Sequence, residues 1–413
     1  MQNRHRKIAA LGMFVVVALL SACGSSGSDS SDPLGGSGDG SAGTGGSSAS
    51  GPIQVGYIGD FTGPNTGSEV PYVNGIRAGI EWVNNNGGVN DRKIELKVED
   101  SKFDVATGTA AFQRLAPNDD MVAMMGLNGS SVIAALAPEV DKLGIPVVGP
   151  AATTEEGLAS ENFYNLQASL EDQGTALVKY LMEQQPGAKV GTAVINVASG
   201  TEWESVIKAA VPANGGTTVG FEKLEPGAVE ASSQASALKN SDVVTVHSNV
   251  PLAVVLVKAL HAQGTDVPVY ASYGSMGETL WQGVGDVDTN KIFGVNGWAM
   301  YYADVEGADD LSDAIELAGL SKEDLGSTAG FTQGYVAARI LAEAMTDAGD
   351  DLTRESLHKA LRRTEGFDTY GFAGPVNWSG GAPHKGVEQV RIFGWDEAKG
   401  QIVPETDFIS AED

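Results

Sequence analysis

Short apolar runs alternate with helical patterns along the chain from residue 53 onward. The run at 53–59 (IQVGYIG) is typical of a buried strand, and the pattern at 71–86 places apolar residues on one face of a helix. Strands joined by helices need right-handed crossovers and a sheet covered on both faces, so the alternation predicts an α/β fold with parallel strands. Further strands are predicted at 93–98, from 121, and at 189–197, 217–222, 242–246, 267–271 and 291–295, with helices at 105–115, 202–211, 228–238 and 251–263.

This alternation occurs twice, once before and once after about residue 163. Each set of elements is long enough to enclose its own apolar core. We therefore expect two doubly wound parallel-sheet lobes with a cleft between them. In that geometry, closure about a hinge buries a ligand.

The stretch 121–153 is the most informative about a ligand site. It contains an apolar run, a Gly/Asn/Ser turn at 126–130, a helical pattern closed by Gly144, a second apolar run and a polar turn at 150–153. Parallel strands end at the same edge of a sheet, and a helix start near Ser131 leaves N–H groups that favour an anionic oxygen. The two turns are interpreted as the two halves of one binding site for a polar ligand. The alternative is a pair of ordinary βα loops.

Composition and charge narrow the class of partner. The 413 residues carry a formal charge of −27, and 42% of them are hydrophobic, which describes a globular protein with an acidic surface. Such a surface repels nucleic acid and anionic lipid headgroups, so nucleic-acid binding is excluded. The same charge opposes a highly anionic ligand and favours a zwitterion, a neutral molecule or a monoacid.

The amino terminus has the features of a secretory signal. Residues 1–22 combine a basic start with an apolar run too short to span a membrane. Ser21, Ala22 and Cys23 resemble the bacterial lipobox, and Cys23 is the only cysteine, so we expect a lipid anchor on Cys23. The alternative is an ordinary signal peptide with a chance cysteine. Residues 24–51 are rich in Gly and Ser and are predicted to be a flexible tether to the bacterial cell membrane.

Sequence motifs of enzymes and metal sites are not found. No G-x-S-x-G, H-E-x-x-H, C-x-x-C or P-loop pattern occurs, and the histidines lack metal-ligand spacing. A G-x-G-x-x-G match at 38–43 has no preceding strand and no following helix, and is accidental. We therefore expect no catalytic residue, no metal and no cofactor.

Three segments carry a family resemblance: IQVGYIGDFTGP at 53–64, NGIRAGIEWVNNNGGVNDRKIELKVED at 74–100 and GLNGSSVIAALAPEVDKLGIPVVGPAATT at 126–154. Together with the signal and the tether, they resemble the leucine/isoleucine/valine-binding proteins, which are type I periplasmic binding proteins of ABC importers. The resemblance implies that fold, with a three-strand hinge at which the chain crosses between lobes three times. The implied boundaries are 52–168 plus 298–371 for lobe one, and 169–297 plus 372–407 for lobe two.

The resemblance also implies which residues hold the ligand. In the family, a serine after the third strand and the Ala and Thr of a PAAT turn hold the carboxylate and amino groups. These positions correspond to Ser130, Ala151 and Thr153. Hydroxyl and N–H donors at a helix start suit a carboxylate, as expected from the turn chemistry. Asn128 in the same turn, and Ser68 at the place of a first-loop aromatic, are further candidates.

Lobe two departs from the family pattern. Gly200-Thr201 replaces a Tyr-Gly pair, and a second family tyrosine maps near Asn249. Trp203, Asn249 and Tyr273 are the candidates for this wall of the cleft. Tyr273 lies in a Tyr-Gly-Ser turn at a predicted strand end, where a phenol can face a ligand. For Trp203, packing inside the lobe is the alternative.

The partner of a ligand ammonium is unresolved in the sequence. The acidic residue of the family maps near Tyr273, where this chain has no acid. An unpaired ammonium buried in a closed cleft is costly. Either Glu202 or Glu278 supplies the charge, or the ligand has no ammonium.

The resemblance implies an extracytoplasmic substrate-binding lipoprotein, monomeric and not an enzyme, that delivers its ligand to the ABC permease in the membrane. A branched-chain or other neutral amino acid is the expected ligand, and amides, urea-like compounds and small carboxylic acids stay open. A ligand-sensing lobe for a membrane receptor is the main alternative. An extracytoplasmic hydrolase is a weaker one.

Overall fold

The computed structural model describes residues 51–149 and 155–411. The predicted signal peptide, Cys23 and nearly all of the tether lie outside the described residues, as do Ala151 and Thr153. The described strands form two sheets, one of five strands and one of eight. In that part of the chain, no helix is both long and apolar enough to cross a membrane.

The first sheet belongs to lobe one, and its paired strands run parallel. Its strands are β1 (Ile53–Gly59), β2 (Ile94–Asp100), β3 (Met121–Leu127), β4 (Val147–Val148) and β5 (Phe163–Tyr164). They lie in the order β2-β1-β3-β4-β5, so β1 and β3 are neighbours at the centre of the sheet. The turns that follow these two strands therefore meet at the same edge.

Four helices connect these strands: α1 (Thr66–Asn85), α2 (Val105–Leu115), α3 (Ser130–Leu143) and α4 (Glu155–Ala159). Helix α1 begins at Thr66 rather than at the predicted Pro71, and it buries Val73, Ile76 and Ile80. Helix α3 is capped at its carboxyl end by Gly144, whose φ of 55° is the left-handed conformation that glycine adopts readily.

The second sheet belongs to lobe two and mixes parallel with antiparallel pairs. Its strands are β6 (Lys189–Ile195), β7 (Thr217–Leu224), β8 (Val243–His247), β9 (Val269–Ala271), β10 (Ile292–Asn296), β11 (Gln389–Asp396), β12 (Gln401–Pro404) and β13 (Ile409–Ser410). The order is β12-β11-β10-β9-β8-β6-β7, with β13 on β11. Strands β6 to β10 pair in parallel, whereas β11 pairs antiparallel to β10, β12 and β13. An antiparallel edge on a mainly parallel sheet is common in α/β proteins.

The helices of lobe two are α5 (Leu170–Gln184), α6 (Ala198–Ala213), α7 (Ser232–Leu238), α8 (Val250–Ala262) and α9 (Glu278–Gly283). Short 3₁₀ turns lie at Tyr273–Ser275 and Thr289–Lys291. Helix α8 starts directly after β8, and the Asn249 side chain caps it by accepting a 3.1 Å hydrogen bond from the Leu252 amide.

The chain then returns to lobe one with α10 (Ala308–Leu317), α11 (Lys322–Leu325), α12 (Gly330–Ala348) and α13 (Arg354–Leu361). Helix α12 packs along α1, and both helices use glycine where they touch. A side chain on Gly75 would clash with the Phe331 carbonyl, and one on Gly334 would clash with the Tyr72 carbonyl. This close approach places the start of α12 beside the start of α1.

The segments that pass between the lobes are joined by buried polar side chains. Gln333 donates a hydrogen bond to Gln167, which donates a 3.2 Å bond to Asn296. The Trp298 indole donates a 3.1 Å bond to the Leu166 carbonyl. Because buried amides must find partners, this network links two passages of the chain to helix α12. The exact lobe boundaries given above stay a prediction.

Candidate functional site

A cavity of about 140 Å³ lies between the two lobes. Lobe one contributes the starts of α1, α3 and α12, and lobe two contributes the ends of β6 and β8 with the 3₁₀ turn at Tyr273–Ser275. Five of the residues predicted from the sequence line this one cavity: Ser68, Asn128, Ser130, Asn249 and Tyr273. The carboxyl ends of both sheets therefore face a common space.

The turn after β3 places Asn128 and Ser130 at the cavity. The Asn128 backbone amide donates a 2.9 Å hydrogen bond to the Ile58 carbonyl, and this bond joins the turn to the end of β1. Gly129 follows with φ at 93°, a conformation open to glycine, and α3 begins at Ser130. The first N–H groups of α3 and the Ser130 hydroxyl thus stand at one end of the cavity, where they suit an anionic oxygen.

Glu69 is the acidic residue among the described residues that line the cavity, and it is not one of the residues predicted from the sequence. Its side chain is 2% exposed. The Tyr57 hydroxyl donates a 2.5 Å hydrogen bond to Oε2, and the side-chain amide of Asn128 donates one to Oε1. Burial raises the pKa of the Glu69 carboxyl to about 8, although the hydrogen bonds from Tyr57 and Asn128 act in the opposite direction.

The repeat of buried positions along helix α1 is the sequence signal that would have revealed Glu69. The helix extends back to Thr66, and Glu69 then shares the buried face with Val73, Ile76 and Ile80. A charged residue at an apolar position of an amphipathic helix is unusual, and it marks either a buried pair or a binding site.

His247 occupies the lobe-two side of the cavity. It ends β8, is buried, and shares a 2.7 Å hydrogen bond with the Ser272 hydroxyl through Nδ1. Burial lowers its pKa to about 4, so the imidazole is neutral at neutral pH. Asn249 and Tyr273 lie beside it on the cavity wall. The Tyr273 ring centroid is 6.0 Å from that of His247.

Trp203 does not line the cavity, and this corrects its predicted place on the wall. The side chain is fully buried in lobe two and stacks on His247, with 5.5 Å between ring centroids. Helix α6 begins at Ala198, earlier than predicted, so Trp203 falls on the face that also buries Ile207 and Val211. Trp203 therefore packs against the His247 ring from within the core of lobe two.

Neither Glu202 nor Glu278, the two suggested sources of negative charge, is among the residues that line the cavity. Glu278 instead lies near Tyr301 and Tyr302, whose pKa values rise mainly by burial and partly through its charge. Among the described lining residues Glu69 is the acid, and none is a lysine or an arginine. The described part of the wall therefore offers hydroxyls, amides and one carboxyl.

No group of three or more His, Cys, Asp or Glu side chains within 51–149 and 155–411 has an arrangement that could hold a metal ion. The cavity is also lined by residues that the sequence did not indicate, among them Tyr72, Gln333, Thr328 and Ser199. Thr328 and Gln333 come from the α12 region, which reaches the cavity only through the packing of α12 on α1. Their chemistry carries no local sequence signal.

Comparison with known proteins places the chain among ligand-binding proteins. The family described as "Periplasmic binding protein" matches residues 52–401. Leu/Ile/Val-binding protein homolog 3 of Brucella melitensis biotype 1 is 23% identical over 362 residues, which cover 84% of this chain and 92% of that protein.

Two solved structures show the same fold. A fatty acid ABC transporter substrate-binding protein from Thermomonospora curvata superposes with a TM-score of 0.79 at 21% identity, covering 88% of this chain and 94% of that one. A branched-chain amino acid ABC transporter protein from Thermus thermophilus with bound valine gives 0.78 at 20% identity, covering 87% and 97%.

Proposed function

Because the chain belongs to the periplasmic binding protein family, we propose that it is a substrate-binding protein that delivers a small ligand to an ABC importer. The family acts outside the cytoplasm and binds small molecules, and it is a family of binding proteins rather than enzymes. In this proposal the two lobes close on the ligand, and the closed form is the one that the permease recognises.

The observation that carries the proposal is a cavity lined by residues of both lobes. Ser130 at the start of α3 and Ser199 in the first turn of α6 line it from opposite lobes. A ligand that contacts both walls stabilises the closed arrangement by its affinity for the second wall, which an open form does not offer.

We propose a neutral amino acid as the ligand. The start of α3 with the Ser130 hydroxyl suits a carboxylate, and Ala151 and Thr153 of the turn predicted at 150–153 are proposed to complete this binding site. The relative from Brucella melitensis is described as a Leu/Ile/Val-binding protein homolog, which supports this ligand class. Ser68, Asn128, Asn249 and Tyr273 are proposed as further ligand contacts.

The lipid anchor and the permease are also proposals. Cys23 would carry the lipid, and residues 24–51 would hold a monomeric binding domain near its permease. Replacing Cys23 with Ala should move the protein from the membrane fraction to the soluble extracytoplasmic fraction. Ser50→Ala is the matched control, and it should remain with the membrane. A Cys23→Ala protein that stays in the membrane fraction would contradict the anchor.

A thermal-shift screen of the full chain in mild detergent tests the function. The panel is the neutral amino acids, their amides, basic amino acids and monocarboxylic acids including decanoate. A ligand at a hundred times its dissociation constant stabilises the folded state by about 2.7 kcal/mol, which raises the midpoint visibly. We expect a neutral amino acid to do so. A protein whose midpoint responds to no small molecule in the panel would contradict the proposal.

A further inference from the structure

We infer that Glu69 is the anionic subsite of the cavity and pairs with an ammonium group of the ligand. The inference rests on the proposed function and narrows it to amine-bearing ligands. It also places the ammonium in lobe one, at the end of β1, whereas the family resemblance places the acidic partner near Tyr273. A carboxylic acid without an amine, such as a fatty acid, is then a poor ligand.

The hydrogen bonds of Glu69 hold its oxygens as acceptors. The Tyr57 hydroxyl donates to Oε2 at 2.5 Å and the Asn128 amide donates to Oε1. Both donors are fixed by the fold, since Tyr57 lies in β1 and Asn128 directly follows β3. Two such donors stabilise the ionised form of the carboxyl group and orient it for a third partner.

No cationic side chain among the described lining residues balances the negative charge of an ionised Glu69. No lysine or arginine is among the described lining residues, and the titratable groups that interact with Glu69 in the described part of the chain include Tyr57, Tyr72 and Asp60. His247 faces the cavity from lobe two, but burial keeps it neutral because its pKa falls to about 4. A cationic group supplied by the ligand removes this imbalance.

Without a ligand, the carboxyl group holds a proton at neutral pH, since burial raises its pKa to about 8. An arriving ammonium favours the ionised form, so the proton leaves to solvent as the pair forms. Binding at pH 7 should therefore release close to one proton per ligand. A residue with only a structural role would not produce this release.

The position of Glu69 also suits a zwitterion. Asn128 donates to Glu69 and lies in the same turn as Ser130, which begins α3. The carboxyl subsite and the helix start are thus joined by one short segment of lobe one. An amino acid can place its ammonium on Glu69 and its carboxylate at the helix start, and the side chain then faces lobe two.

The test compares wild type with Glu69→Gln by calorimetric titration of the full chain in detergent, at pH 7 and in two buffers of different ionisation enthalpy. The probes are L-leucine, 4-methylpentanoate, which lacks the amine, 3-methylbutylamine, which lacks the carboxylate, and L-lysine. Glu81→Gln is the control, because Glu81 is exposed on the same helix. The lysine arm distinguishes a side-chain ammonium from the α-amino group.

We expect an amino acid to bind wild type at least about 30-fold more tightly than its deaminated analogue, with proton release. Glu69→Gln should weaken it by about 30-fold or more and abolish the release, while Glu81→Gln changes neither. Equal midpoints of thermal unfolding at pH 5 for Glu69→Gln and wild type would show that the variant folds.

Two results would overturn the inference and leave the proposed function intact. One is undiminished amino-acid affinity in a folded Glu69→Gln protein. The other is a wild-type protein that binds 4-methylpentanoate as tightly as any of the amine-bearing probes. If Glu69→Gln does not fold, the proton release of wild type and its preference for the amine decide alone. Wild type that binds none of the probes would overturn the inference together with its amino-acid ligand.

Discussion

The Ser199 amide donates a 3.4 Å hydrogen bond to the Ser130 hydroxyl, and this bond joins the two lobes beside the cavity. Ser130 starts α3 of lobe one, and Ser199 lies in the first turn of α6 of lobe two. A bond of this kind is made only when the lobes are close together. The described arrangement is therefore a closed one.

Replacing Ser130 with Ala should weaken ligand binding by about 10- to 100-fold. The change removes a hydroxyl that bridges the lobes and that is proposed to donate to the ligand carboxylate, and such a bond to a charged group contributes about 1.5–3 kcal/mol. Ser131→Ala is the control, because its side chain lies next to Ser130 but is exposed. Calorimetric titration measures both. Equal affinities for the two variants would exclude Ser130 from the site.

Replacing Trp203 with Phe should change stability more than binding. The indole is fully buried, and its N–H has no hydrogen-bond partner among the described residues, so phenylalanine loses volume but no hydrogen bond. We expect a loss of about 1–3 kcal/mol in urea unfolding and a ligand affinity within about threefold of wild type. Tyr273→Ala, which changes the cavity wall itself, should lower affinity more than tenfold. The reverse order would restore Trp203 to the wall.

Gln167 should be a stability residue of the passages between lobes. Its side chain accepts from Gln333 and donates to Asn296. Gln167→Ala therefore leaves the buried Gln333 amide without its acceptor, whereas the Asn296 oxygen keeps a 3.2 Å hydrogen bond from the Trp298 backbone amide. The expected cost is about 1–3 kcal/mol in the free energy of unfolding. Gln113→Ala, an exposed site on α2, should cost less than about 0.5 kcal/mol. Equal costs for the two variants would show that the network contributes little.

The stability of the ligand-free protein should decline as pH rises through the range set by Glu69. Its pKa is about 8 in the folded state against 4.5 as the ordinary value, so the folded state binds more protons between these pH values. The free energy of unfolding then falls by roughly 2–4 kcal/mol between pH 5 and pH 8. Glu69→Gln should flatten this fall, and Glu81→Gln should not. A decline that survives in Glu69→Gln would assign it to other groups.

His247 should have the opposite dependence. Its pKa is about 4 in the folded state against 6.5 as the ordinary value, so the unfolded state binds more protons between these values. Stability from this group is present above pH 6.5 and is lost as pH falls. His247→Gln should reduce this loss of stability at low pH. Part of the loss should remain, because burial also lowers the pKa of His358 to about 4. An NMR titration that finds His247 protonated at pH 6 would contradict this.

The sequence predicts the main elements of lobe one well because its strands are short apolar runs with clear ends. Strand β1 and helix α2 have the predicted bounds. The small polar residues after β3 predict a turn at a ligand site, and this turn does reach the cavity. The predicted start of α1 at Pro71 is wrong, because the helix begins at Thr66. That error left Glu69 outside the helix and hid its buried position.

Lobe two could be predicted less well because its cavity residues depend on long-range packing. The sequence leaves Trp203 either on the wall or packed inside the lobe, and the start of α6 at Ala198 places its side chain in the core of lobe two. The approach of α12 to α1 brings Gln333 to the cavity from a distant segment, and no local pattern indicates it. Local periodicity predicts elements, whereas the faces that meet are set by packing.

The most direct test of the proposed function is a calorimetric titration of the full chain with L-leucine, L-valine and the other neutral amino acids. A closed two-lobed binding protein should bind one of them with one site per chain and a dissociation constant below about 10 μM, and Ser130→Ala should weaken that binding while Ser131→Ala does not. The absence of saturable heat with every neutral amino acid, from a protein shown to be folded, would contradict an amino-acid ligand in the cavity.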